Sequence, residues 1–273
     1  MGNTNENRSR GTAAANASEA DEAAQFRFLM SAEFDAATYA RKWLVRHILA
    51  CGQTSVMGGP RKALKTTLLV DLAISLGTAT PFLGEFQVPN RCRVAIMSGE
   101  SGEATLQETA RRVAAAQGIA LATADVFWCF QLPQLANAAD LATLQQAVLE
   151  AKIDVLIIDP LYLALLASVG GDGPQASNLY QMGPLLMAVA RTCLSVGCTP
   201  ILAHHFRLQR ADHYGEPQLE DLAFAGIQEF ARQWVLLGRR EKYEPGTGSH
   251  RLWLSVGAAP GIQGSGRWIS RRG

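Results

Sequence analysis

The chain has 273 residues, 48% of them hydrophobic, and a formal net charge of +1. That length accommodates one large α/β domain; near-neutral charge excludes a polycation built to coat nucleic acid, and no run approaches the ~18 consecutive apolar residues of a membrane helix. The N-terminus lacks the apolar core of a secretory signal, and the five cysteines have no zinc-ligand spacing, so a reduced, cytoplasmic protein with no membrane partner is expected.

In chain order, residues 1–33 are rich in Asn, Ser, Ala and Glu without periodic apolar positions, and read as a disordered leader. A folded domain is expected over 34–257. Its first segment, ARKWLVRHIL, is expected to cap a sheet. Strand-like runs follow at 53–59, 91–99, 125–130, 153–160 and 199–206, with helix-like segments at 65–76, 104–117, 141–152 and 181–195. Unbroken apolar runs such as VLII indicate strands buried on both faces, the mark of a central, mostly parallel sheet flanked by helices. The runs 233–243 and 250–256 flank EPGTGS, a turn composition that predicts a C-terminal antiparallel hairpin. Residues 258–273 read as a flexible Gly/Arg-rich tail.

Chemistry concentrates at the strand ends. The run GGPRKALKTT comprises Gly58, Gly59, Pro60, Arg61, Lys62, Ala63, Leu64, Lys65, Thr66 and Thr67, with Gly59, Lys65 and Thr66 in the register G-x-x-x-x-G-K-[ST]. It follows a strand and opens a helix, the setting in which backbone N–H groups cradle phosphates. Lys65 is placed to reach the β and γ phosphates of ATP, and the Thr66 hydroxyl to ligate Mg²⁺. Leu64 stands where the second glycine is expected, so the loop must be reshaped there or the side chain turned away. In IDVLIIDP an apolar strand ends on Asp159, a second candidate Mg²⁺ ligand. In VAIMSGES the strand ends on Glu100, placed to polarise the attacking water, while Ser101 and Glu103 suit the start of the next helix. PILAHHF puts His204 and His205 at a further strand end, one of them on the crevice rim as a γ-phosphate sensor; the reading favours His204. The hairpin's first strand carries Arg239, Arg240 and Lys242, and alternation sets Arg240 and Lys242 on one side.

The order of these motifs, with GGPRKALKT, IMSGE, VLIIDP, LAHHFR and DLAFAGIQEFARQWVLLGRREKYE, resembles the RecA-like P-loop ATPases, and within them the RepA-type hexameric helicases, an AAA domain of the RecA-like kind. The resemblance runs from about Phe34 to Val256. It implies a RecA-like α/β core and Mg-ATP hydrolysis at the subunit interfaces of a homo-oligomeric ring, hexameric in the family. It also implies a basic residue acting in trans, matched here by Arg240 or Lys242, and translocation on single-stranded DNA beside other replication proteins of a replicon or mobile element. Such helicases frequently carry Glu-Asp where this chain has Glu100-Ser101. The candidate DNA-contacting loops are 166–178, glycine-rich and without positive charge, and 206–218, where Arg207 and Arg210 either touch phosphate or lie on a surface loop. The alternatives are a regulatory or recombinase-like ATPase of the same fold, and an ATP-sensing module with little turnover.

Overall fold

Strand burial follows from apolar patterning. Val155–Asp159 is buried at every position, and Ile201, Leu202, Ala203 and His204 are each at most 1% exposed. The computed structural model describes residues 28–166, 178–207, 214–224, 226–244, 248–258 and 266–269. The expected leader up to residue 27, the loop 167–177, Arg210 and most of the C-terminal tail lie outside the described residues.

The chain divides into two units, Met1–Ala40 and Arg41–Gly273. In the first, helix α1 (Ser31–Ala36) buries none of its residues, and Phe34 lies 5.2 Å from Tyr39, centroid to centroid. This helix runs across the boundary expected at 33/34, and the second unit begins seven residues later than that expectation.

The second unit opens with a two-stranded ribbon, β1 (Trp43–Val45) and β2 (Leu49–Ala50), where a sheet cap was expected. The main strands are β3 (Ser55–Gly59), β4 (Val94–Ser98), β5 (Val126–Cys129), β6 (Val155–Asp159), β7 (Thr199–His205), β8 (Gln233–Arg239), β9 (Leu252–Ala258) and β10 (Gly266–Ile269). They form one eight-stranded sheet in the order β10-β9-β8-β3-β7-β6-β4-β5. From β8 to β5 every pairing is parallel, while β9 pairs antiparallel to β8 and β10 antiparallel to β9. The expected α/β architecture with a C-terminal antiparallel pair is therefore the architecture found. Part of the expected flexible tail is instead the edge strand β10, because the outer edge of β9 offers unpaired backbone N–H and C=O groups for a further strand to engage.

Helices α2 (Lys65–Thr78) and α3 (Glu103–Ala116) cover one face. On that side Leu69, Leu72 and Leu106 pack with Ile96, Ile157 and Ala203. Helices α4 (Ala138–Glu150), α5 (Leu161–Leu166), α6 (Leu179–Leu194) and the short α7 (Ile227–Phe230) cover the other, where Leu144, Leu186 and Ile227 pack with Leu156, Ile158 and Leu202. Neighbouring residues along β6 thus feed opposite cores, as the two-residue period of a strand requires.

At the N-terminal ends of β3 and β8 a buried glutamine ties the ribbon to the sheet. Gln233 is 0% exposed; its Oε1 accepts from Ala50 N at 2.8 Å, and its Nε2 donates to Ala50 O at 2.9 Å and to Ser55 Oγ at 2.8 Å.

Candidate functional site

β3 carries two glycines at its C-terminal end for reasons of packing. A Cβ on Gly58 would lie 2.6 Å from Leu222 Cδ2 and 2.7 Å from Leu236 Cδ2, and one on Gly59 3.1 Å from the Leu237 carbonyl oxygen. The loop that follows then turns sharply: Lys62 has φ 57° and Leu64 φ 62°. Leu64 thus adopts the left-handed conformation that suits the glycine of the usual pattern, and its side chain is 38% exposed. The missing glycine is accommodated by backbone strain together with an outward side chain. Leu64 is also the N-cap of α2, whose first turn carries Lys65, Thr66 and Thr67, so free amides and the helix dipole face the loop.

One side chain holding this loop was not foreseen. Arg239, at the end of β8, donates from its guanidinium to the Lys62 carbonyl at 2.5 Å. Reading the hairpin by alternation alone set Arg239 apart from its neighbours; the informative signal was β8 lying beside β3, which sequence does not show. Arg240 and Lys242 do not share a strand as expected, because β8 ends at Arg239. The Arg240 guanidinium lies over the Trp253 ring at 4.7 Å, and Lys242 is exposed in the loop beyond.

The remaining strand ends converge on Lys65. Its ammonium donates to His205 Nδ1 at 2.7 Å, and Thr66 Oγ1 donates to Asp159 Oδ2 at 2.8 Å. His205 Nε2 lies 3.8 Å from Glu100 Oε1, and Tyr162 OH donates to that same oxygen at 2.5 Å. The sheet order brings this about. β7 sits between β3 and β6, so its last residue faces Lys65 on one side and Glu100 on the other. It is His205, not the favoured His204, that does so. Gly58 pairs with His204 and Gly59 with His205, and strand alternation turns His204 to the opposite face, against Phe224 at 4.6 Å between ring centroids. Glu100 stands where expected, but α3 is capped by Gly102 with no side-chain bond. Ser101 therefore does not cap; Glu103 does occupy the first turn.

Burial governs the electrostatics. Lys65 is 6% exposed, and desolvation lowers its pKa to about 8 against the opposing pull of Asp159 and Glu100. Asp159 is raised, again chiefly by burial, with the Thr66 hydrogen bond and Lys65 opposing. His205 is lowered by burial and then by Lys65. It is thus held as a neutral ring that accepts at Nδ1 and turns its Nε2 proton toward Glu100. His204 is pushed to about 3, by burial first and then by His205 and Lys65, and neither of its ring nitrogens has a hydrogen-bond partner.

Ser98 Oγ is also buried without a partner. Ser98 is the register partner of Asp159, so the two side chains stand together on one face. A threonine hydroxyl, a buried carboxylate and a spare hydroxyl form the hard-oxygen environment suited to Mg²⁺, which takes few protein ligands and completes its shell with phosphate oxygens and water. Among the described residues no cluster of three His, Cys, Asp or Glu side chains could hold a metal alone. All five cysteines are free thiols. Of the DNA-facing candidates, Arg207 is described; its Nε donates to the Leu222 carbonyl at 3.1 Å. No helix among the described residues is long and apolar enough to cross a membrane.

Residues 19–211 match the family model described as AAA domain. No curated protein matches the chain.

Proposed function

The chain belongs to the AAA-domain family of P-loop ATPase type, and from that premise we propose that it binds Mg-ATP, hydrolyses it, and works as a ring-forming translocase on single-stranded DNA. One observation carries the hydrolytic part: Lys65, the Thr66–Asp159 pair and Glu100 meet at the C-terminal edge of one parallel sheet, in contact with or within 3.8 Å of His205 or each other. A ligand crevice lies at that edge in open α/β sheets.

Each side chain then has a task. The loop amides and the N-terminus of α2 hold the phosphates, and Lys65 exchanges its bond to His205 for one to the β and γ oxygens, neutralising them. Thr66 and Asp159 are the residues that would hold Mg²⁺, which supplies charge neutralisation across the phosphates. Glu100, 44% exposed at its side chain, is open to water and takes a proton from the attacking molecule. His205, touching Lys65 and facing Glu100, senses whether the γ-phosphate is present. The ring and its DNA rest on the motif resemblance. Lys242 is the better candidate for the trans-acting cation, since Arg240 is engaged by Trp253.

The test measures ATP binding and turnover with and without single-stranded DNA. Glu100→Gln should retain ATP binding while turnover falls by about 10²–10⁴-fold, the share general base catalysis supplies. Wild-type turnover should rise severalfold on adding DNA. A Glu100→Gln protein that turns over normally removes the hydrolytic assignment. An unstimulated wild-type ATPase that does not bind DNA removes the translocase and leaves a regulatory ATPase of the same fold.

A further inference from the structure

Tyr162 plays no part in the sequence motifs, yet it makes the shortest contact to Glu100. It lies in the first turn of α5, three residues beyond Asp159, and its hydroxyl donates to Glu100 Oε1 at 2.5 Å. Its ring also stands 5.6 Å from that of His205, tilted by 47°. The same Glu100 oxygen faces His205 Nε2 at 3.8 Å, beyond hydrogen-bond range. Glu100 itself follows Gly99 at an exposed strand end. An exposed glutamate has several staggered rotamers open to it, and the phenol is the group that selects one.

We propose that Tyr162 is a positioning residue for Glu100: by occupying Oε1 it fixes the carboxylate so that Oε2 is presented to the attacking water. The inference rests on Glu100 serving as the general base. The chemistry suits the role. A phenol is a strong donor to a carboxylate and, well above neutrality, keeps its own proton; here the bond to Glu100 holds that proton more firmly still, raising the Tyr162 pKa. The proton thus stays on the tyrosine while Oε2 remains the basic oxygen. Loosening a reacting group by about an ångström lowers rate by up to roughly 100-fold without touching substrate affinity.

Tyr162→Phe keeps the ring beside His205 and deletes only the donor, so it isolates the hydroxyl. Turnover and ATP affinity are measured for wild type, Tyr162→Phe, Glu100→Gln and the double variant, with folding checked by thermal unfolding. Tyr162→Phe should lower kcat by between about 10- and 100-fold and leave the KM for ATP and the unfolding midpoint unchanged. In the Glu100→Gln background the same change should add no further loss. Unchanged or increased kcat in Tyr162→Phe, beside an inactive Glu100→Gln, overturns the positioning role alone. So does an equal loss in both backgrounds, or a lowered kcat accompanied by an equal loss of ATP affinity. A fully active Glu100→Gln overturns the base assignment and the tyrosine's role with it.

Discussion

The sheet buries polar side chains at both of its ends, but the two ends treat them differently. At the N-terminal end Gln233 and Ser55 are fully buried, and the hydrogen bonds of Gln233 close on Ala50 and Ser55. At the C-terminal end the groups are buried but poorly matched. A lysine is held against a neutral imidazole, an aspartate is raised by its own burial, and a serine hydroxyl has no partner. The backbone differs in the same sense, with Lys62 and Leu64 in left-handed conformations next to Arg239. Buried polar groups that satisfy one another stabilise the fold; those left mismatched are stabilised only when a ligand arrives.

The strongest way to break this contrast is to remove Lys65. Lys65→Met should abolish ATP turnover and yet leave a more stable apo protein at neutral pH. Burial holds the lysine's pKa at about 8 in the folded state against 10.5, so the unfolded chain binds more protons between those values. The wild-type stability penalty is therefore fully present below about 8 and is relieved as pH rises toward 10.5. On the order of 3 kcal/mol of pH-dependent stability should vanish from denaturant-unfolding curves of the methionine variant. Curves that rise with pH alike in both proteins would show that the lysine is not under this strain.

At the other end, Gln233→Ala should reverse the pattern. The Ala50 N–H and C=O lose their partners in a dry environment, lowering unfolding free energy by about 3 kcal/mol, while ATPase per folded molecule is retained. A loss of activity larger than the loss of folded protein would mean that the two ends are coupled. The smallest effect tests the strain itself. Leu64→Gly removes the Cβ from a left-handed residue and should raise stability by about 1 kcal/mol, seen as a higher denaturant midpoint with nucleotide affinity kept. A destabilised glycine variant would show that the Leu64 side chain contributes packing that outweighs its backbone strain.

Much of the architecture was legible because buried parallel strands are written as continuous apolar runs. VLIID and PILAHH are unambiguous, and each ends on a residue that reaches the crevice. What sequence could not supply was lateral order. The choice between His204 and His205 depends on which face of β7 meets α2, and alternation along one strand says only that they differ. The hold of Arg239 on the Lys62 loop is hidden for the same reason, since that contact spans 177 residues. Tyr162 escaped because α5 is too short to show a helical period. The edge strand β10 escaped because GRWI lies within a glycine- and arginine-rich tail whose composition reads as unstructured.

The distance along the chain between Lys62 and Arg239 also sets an order in time. At synthesis rates of about 5–20 residues per second, the P-loop is made roughly 10–35 s before the arginine that braces it. Through that interval β3 lacks β8, and until β7 emerges it lacks both neighbours, so the phosphate loop is complete in sequence well before it is supported in space. A nascent chain in which β7 has joined the sheet and β8 has not would carry Lys65, Glu100, Asp159 and His205 with one edge of the P-loop strand bare, and its loop would meet Arg239 only once β8 had paired.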